Sequence, residues 1–235
     1  MKVGDSIATT NSGWKFDKNV AENFESHARR SIPMYEIGHQ LVCDISDFFL
    51  QDNSTCYELG TSTGELIEKI AEHNKHKQVN YIAIDSQSAM IEKAKDRCKA
   101  NDRIKIENED INLYNFESSD LIVSYYCIQF IPPKFRQQLF NKIYQSLNWG
   151  GALIIFEKVR GSDARFHDIL TSLYTEFKLS QNYSPAEIIS KSRSLKGVLE
   201  PFSRQGNVDL MKRAGFKDIE TIMKFTSFEG FLAIK

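Results

Sequence analysis

Three short segments carry residue types suited to holding a nucleoside. Glu58-Leu59-Gly60-Thr61-Ser62-Thr63-Gly64 follows an apolar run that begins at Cys56. It precedes a stretch with Leu66, Ile67 and Ile70 at helical spacing. Glycines between a strand and a helix let the backbone turn tightly and approach a ligand, and the helix N-terminus adds a positive dipole end. The G-x-G-x-x-G pattern of a dinucleotide pyrophosphate site is absent. Asp85 stands 21 residues after Gly64, at the end of the next apolar run, with Ser86 beside it. A carboxylate there accepts hydrogen bonds from both hydroxyls of a ribose. Asp110-Ile111, after a third run, offers a carboxylate to an adenine amino group and an apolar wall to its ring. Each piece alone fits a plain βα turn. Together they predict an adenosine ligand without a pyrophosphate.

Such residues must be carried on successive strand ends. The apolar runs at 56–59, 79–84, 104–108, 120–126 and 152–156 alternate with helical patterns, which predicts a parallel, doubly wound sheet. Two helices precede the first strand: one from about Phe16 to Arg30, and one from about Tyr35 to Leu50 with Ile37, Leu41, Ile45 and Phe48/Phe49 on one face. Ser86 is the expected N-cap of the helix from Gln87 to Cys98. Helices at 163–179, 184–199 and 207–214 are followed by strands at 216–224 and 226–234, which form an antiparallel hairpin. The fold class is therefore α/β. It is a Rossmann-like, doubly wound seven-stranded sheet, mostly parallel with an antiparallel last strand. An N-terminal helical lid and inserted helices before strand six are added to it. Residues 1–13 are expected to be a mobile arm and 14–235 a single domain, with 14–52 as the lid and 160–205 as the helical insertion.

Composition narrows the function. Lys plus Arg is 30 and Asp plus Glu is 31, a net charge of −1, so the chain lacks the basic excess of a protein built to hold nucleic acid by its phosphates. The basic stretch from Lys93 to Lys105 is interleaved with Glu92, Asp96 and Asp102 and reads as a solvated helix face. No pair among Cys43, Cys56, Cys98 and Cys127 has CxxC spacing, and His73-x-x-His76 has no acidic or Cys partner nearby, so no metal is expected. Met1 to Gly13 is polar without an apolar h-region, and no stretch reaches the roughly 18 apolar residues of a membrane span. A cytoplasmic protein is expected. No G-x-S-x-G elbow indicates a serine hydrolase.

The order and spacing of these segments resemble a class I S-adenosylmethionine (SAM)-dependent methyltransferase. More narrowly, the chain is similar to the carboxy-S-adenosyl-L-methionine synthase family, formerly described as a tRNA wobble-uridine methyltransferase. The similarity runs from Trp14 to Lys235. It is carried by Trp14-x-Phe16-Asp17-x-x-Val20-Ala21-x-x-Phe24, Arg30-Ser31-Ile32-Pro33-x-Tyr35 and Tyr57-Glu58-Leu59-Gly60. Ile84-Asp85-Ser86-Gln87-Ser88-Ala89-Met90, Gln129-Phe130-Ile131-Pro132-Pro133, Glu157-Lys158, Phe177-Lys178 and Asn182-Tyr183-Ser184 continue it. The resemblance implies that SAM and prephenate react and that the sulfonium methyl becomes a carboxymethyl group. It implies that a tyrosine matching Tyr35 and an arginine from the partner of a homodimer hold the new carboxylate. The product serves a second enzyme that modifies tRNA, so direct nucleic-acid binding is not expected. Implied SAM contacts are Tyr35, Glu58, Gly60, Thr61, Ser62, Gly64, Asp85, Ser86, Asp110, Ile111 and Tyr125.

The chain departs from the family at informative places. Thr61 and Thr63 replace Cys and Leu, and Tyr125 replaces an Asn. The family's Lys-Arg-Ser reads Lys191-Ser192-Arg193-Ser194, so an ungapped match puts Ser192 at the arginine position. One residue on a helix turns a side chain by about 100°. Tyr35 and Arg193 are the catalytic candidates, and Arg30, Arg193 and Arg204 are the candidate carboxylate holders. The displaced arginine puts a methyltransferase acting on a small molecule first and carboxy-SAM synthesis second. A SAM-binding protein without transfer activity is third. Tyr183 reads as packing between helices, and Glu157-Lys158 as a surface pair or a loop brace.

Overall fold

A computed structural model describes residues 1–5 and 7–235. The chain begins with two helices, α1 (Lys18–Ser31) and α2 (Tyr35–Phe49). The Asp17 carboxylate caps α1 by accepting the Val20 N–H at 3.1 Å. The corner between them is sharp: Met34, after Pro33, sits in the left-handed region at φ 58°, where side chains other than glycine are strained. Then follow β1 (Thr55–Leu59), α3 (Glu65–His73), β2 (Asn80–Asp85), α4 (Ser88–Cys98), β3 (Ile104–Asn108) and β4 (Ser119–Tyr125). After a 3-10 turn at Ile128–Phe130 come α5 (Pro133–Ser146), β5 (Leu147–Lys158), α6 (Ala164–Ser180), α7 (Pro185–Ser194) and α8 (Arg204–Ala214). The chain ends with β6 (Asp218–Phe225) and β7 (Phe228–Ile234).

The seven strands lie in the order β3-β2-β1-β4-β5-β7-β6. β7 runs antiparallel to both β5 and β6, while the β1, β2, β3, β4 and β5 pairings are parallel. Strand order reverses direction between β1 and β4, and a crevice opens at their carboxyl ends. Alternate residues feed two apolar layers. Cys56, Tyr81, Val123 and Ile154 pack with Val42 of α2 and Leu66 and Ile70 of α3. Tyr57, Ile122 and Leu153 pack on the other face with Leu139 and Phe140 of α5 and Met211 of α8. Among the described residues, no helix is long and apolar enough to cross a membrane.

Three expectations are corrected. The α2 face turned inward is Tyr35, His39, Val42, Cys43 and Ser46; Ile37 and Phe48 are 57% and 82% exposed. Leu41, Ile45 and Phe49 pack partly against the core. Ser86 is exposed and does not cap α4, whose N-cap is Gln87. The first residues are not a free arm. Val3 and Ile7 are buried in a third cluster with Trp14, Val20 and Met90, and the Ser12 N–H donates to the Arg193 carbonyl at 3.0 Å. The apolar side of α1 and the Trp14 ring give them a surface to cover.

Candidate functional site

The loop after β1 is built around a buried carboxylate. Glu58 Oε2 accepts the Thr61 hydroxyl at 2.5 Å and the Ile67 N–H at 3.2 Å, and burial pushes its carboxyl up to about 8. The N–H groups of Gly60 and Thr61 both donate to the Ile84 carbonyl, at 2.8 and 3.0 Å, which ties the loop to β2. Gly60 has φ 74°, and a Cβ there would overlap the Cys127 side chain. Ser62, also left-handed at φ 53°, donates its N–H to Asp85 Oδ2 at 2.9 Å. Asp85 Oδ1 accepts the Gln87 N–H at 2.9 Å. The carboxylate is thus fixed at the end of β2, and burial raises its proton affinity despite these donors.

These groups border one cavity of 990 Å³ at the carboxyl ends of β1, β2 and β4. Glu58, Gly60, Thr61, Ser62, Asp85 and Ser86 line one end. Asp110 and Ile111 lie on its wall; Asp110 Oδ1 accepts the Asn112 N–H and side-chain amide, each at 2.8 Å, and Ile111 is buried. Tyr35 and Tyr125 line the same cavity. The Tyr125 hydroxyl donates to the Tyr35 carbonyl at 2.8 Å, and the two rings are 5.4 Å apart. Gly38 makes this possible, because a Cβ there would overlap the Tyr125 hydroxyl. Among the described residues the Tyr35 hydroxyl has no hydrogen-bond partner, and burial pushes its proton affinity well up.

Two expected site residues stand elsewhere. Gly64, at φ 78°, does not line the cavity; a Cβ there would sit 3.1 Å from Ala94 Cβ of α4, so it lets α3 and α4 approach. Arg193 is exposed near the end of α7 and does not line the cavity, whereas Ser192 does. The other candidate cations are committed too. Arg30 pairs with Asp5 and donates to the Gln181 carbonyl, and Arg204 pairs with Glu229 at 3.0 Å beside β6 and β7. Tyr183 donates to Asp5 Oδ2 at 2.7 Å and lies outside the cavity lining, as packing between helices requires.

Several lining groups gave little sequence signal. His39, one turn after Tyr35, is buried with its ring 4.4 Å from Tyr35 and 4.7 Å from Tyr125. Lys69 Nζ donates to His39 Nδ1 at 3.2 Å, which leaves the ring proton on Nε2, an atom with no partner among the described residues. Burial and the Lys69 charge lower His39 to about 3, so the ring is neutral. Glu36, His39 and Glu65 bring potential ligand atoms within 4.8 Å of one another. Lys69 already lies among them, 2.7 Å from Glu36 and 2.8 Å from Glu65. Lys158, Lys178 and Lys191 also line the cavity. Glu157 is buried rather than part of a surface pair. It faces the Arg136 charge and the backbone N–H groups of Ile128 and Gln129, as a loop brace would, and burial pushes it up to about 8.

A family model described as a methyltransferase domain matches residues 57–151. The carboxy-S-adenosyl-L-methionine synthase of Staphylococcus epidermidis is 36% identical over 223 residues, covering 94% of this chain and 97% of the relative. That of Nautilia profundicola is 34% identical over 223 residues, covering 94% of each. A Methanococcus maripaludis structure described as a candidate S-adenosyl-L-methionine-dependent methyltransferase superposes with a TM-score of 0.63 at 21% identity, covering 99% of this chain and 97% of its own. Human N-acetylserotonin methyltransferase, solved with SAM, gives 0.57 at 17% identity, covering 93% of this chain and 54% of its own. These structural likenesses show the fold.

Proposed function

The chain belongs to the carboxy-S-adenosyl-L-methionine synthase family, and from that premise we propose that it binds SAM in the cavity and makes carboxy-SAM with a carboxylate-bearing second substrate. One observation carries the reading. Asp85, the Glu58–Ser62 loop, Asp110–Ile111 and the Tyr35–Tyr125 pair all border a single cavity at the point where the strand order reverses.

The residues fit SAM on physical grounds. Asp85 keeps lone pairs for ribose hydroxyls after accepting two backbone N–H groups. Ile111 is an apolar wall for the adenine ring, and Asp110 is an acceptor for its amino group. The Tyr35, Tyr125 and His39 rings stand edge-on or tilted to one another, a set of π faces suited to a cationic centre. When bound, SAM supplies an activated one-carbon unit on its sulfonium. The chain's own residues bind, orient and exclude water: Glu58 stiffens the loop, Asp85 fixes the sugar, and Tyr35 presents its free hydroxyl. His39 presents a neutral N–H beside it.

A second reading, methyl transfer to a small molecule, is favoured by the exposed Arg193 and by Ser192 at the cavity rim. The test is incubation with SAM, with and without prephenate, followed by mass spectrometry of the nucleosides. Carboxy-SAM formed only with prephenate supports the first reading. Absence of carboxy-SAM, with SAM turned over on another acceptor, supports the second. No turnover of SAM with any acceptor sinks both and leaves a SAM-binding protein.

The same reading includes a cytoplasmic homodimer that acts on small molecules without holding nucleic acid directly. The net charge of −1 and the buried thiols of Cys43, Cys56 and Cys98 suit it. So do exposed apolar residues at helical spacing, Ile37 and Phe48 on α2 and Phe166, Ile169 and Leu173 on α6. Sedimentation velocity tests the dimer.

A further inference from the structure

We propose that Lys158, Lys178 and Lys191 of a single chain form the seat for the carboxylate of the second substrate, a small carboxylic acid with an apolar body. The inference rests on the transferase reading above and deepens it. All three line the cavity that Tyr35 and Asp85 line. Lys178 and Lys191 are only 3% and 8% exposed, and Lys158 is half-buried. Their ammonium groups lie against aromatic faces. Lys158 Nζ is 4.1 Å from the Tyr174 centroid, Lys178 Nζ is 4.4 Å from that of Tyr183, and Lys191 Nζ lies over Trp14. Aromatic faces attract a cation but accept none of its hydrogen bonds in the usual sense, and each ammonium has three donors.

Among the described residues none of the three ammonium groups has a hydrogen-bond acceptor or an ion-pair partner within range. Asp5 is the carboxylate that acts on both Lys178 and Lys191, but its oxygens are taken by His27, Arg30 and Tyr183. Glu187 acts on Lys178 from α7 and is tied to Ser184. Burial lowers Lys158 and Lys178 to about 8 and Lys191 well below the ordinary lysine range, and an anion among them favours the charged form of each. Clustered amines on the wall of one cavity, each without an acceptor, call for an anion that holds them charged. The rings that flank them, Tyr174, Phe228 and Trp14, suit an acid with an apolar body. The seat adjoins the one-carbon site through ring contacts from Tyr125 to Tyr126, Tyr126 to Phe228 and Phe228 to Tyr174. It supplies in one chain the charge that Arg30, Arg193 and Arg204 do not bring to the cavity.

The test is calorimetric titration of prephenate into protein loaded with S-adenosylhomocysteine, which cannot react, and into ligand-free protein. Lys158→Met and Lys178→Met should each weaken prephenate binding about 10- to 100-fold, the loss of a charge-assisted contact. Both should leave S-adenosylhomocysteine affinity within about threefold. Lys178→Arg, which keeps the charge, should retain most of the prephenate affinity and guards against a mere folding defect. Equal prephenate affinity in the wild type and both Met variants overturns the seat. So does a wild type that binds S-adenosylhomocysteine but no prephenate, phenylpyruvate or malonate. A wild type that binds prephenate through these lysines but not S-adenosylhomocysteine keeps the seat and sinks the transferase reading.

Discussion

Replacing Asp85 with Asn separates the two duties of that carboxylate. In the folded chain its oxygens accept the Ser62 and Gln87 N–H groups, each at 2.9 Å. An amide of the same shape offers one oxygen and one NH₂, so one backbone donor meets another donor. That conflict costs about 1–3 kcal/mol. An opposing effect is present. Burial raises the Asp85 carboxyl above its ordinary range, so its contribution to stability falls as pH rises from the unfolded pKa to the folded one. Asn carries no such cost. The two effects offset, and the melting temperature of the ligand-free variant should move by no more than about 4 °C. Ligand binding has no such offset. Loss of the charge that accepts two ribose hydroxyls should cost about 2–4 kcal/mol, or about 30- to 1000-fold in Kd. Calorimetry with S-adenosylhomocysteine, with a thermal melt on the same sample, reads both quantities. A folded variant whose Kd lies within about threefold of wild type would show that Asp85 does not hold the ribose.

Three other outcomes follow from the packing. Glu157→Gln should stabilise the protein more at pH 8.5 than at pH 5, because a carboxyl raised to about 8 costs stability as pH rises from its ordinary range to that value; equal gains in urea melts at both pH values would contradict this. Gly38→Ala should lose about 1–3 kcal/mol to overlap with the Tyr125 hydroxyl, against the usual helical gain of about 1 kcal/mol. Adding Tyr125→Phe should recover part of the loss, and strict additivity in the double-mutant cycle would count against the contact. Gly64→Ala should lower the melting temperature through its φ of 78° and its contact with α4, while the folded protein keeps its S-adenosylhomocysteine affinity; a selective loss of affinity would return Gly64 to the ligand site.

The sheet was legible because buried parallel strands alternate with amphipathic helices in a pattern that few other folds produce. Asp85, Asp110 and the Glu58 loop were legible because strand ends mark the crevice. The α2 face was not, because Ile37 and Phe48 are as apolar as core residues yet exposed, and periodicity does not distinguish a buried apolar face from an exposed one. The lysines were hidden for the opposite reason. Lys is normally exposed, and only the fold brings residues 158, 178 and 191 to one cavity. Gly64 was assigned to a ligand because spacing shows that a left-handed residue is needed, not which neighbour needs it.

On the proposed reading, one cavity seats a SAM nucleoside at Asp85 and an anionic second substrate at the lysines, with Tyr35 between them. The most direct measurement is a crystal structure of the protein grown with S-adenosylhomocysteine and prephenate. The ribose should lie on Asp85, the adenine against Ile111, the sulfur facing Tyr35, and a prephenate carboxylate within hydrogen-bond distance of Lys158 or Lys178 of the same chain. A nucleoside bound away from Asp85, or a carboxylate held only by an arginine of a second chain, would contradict it.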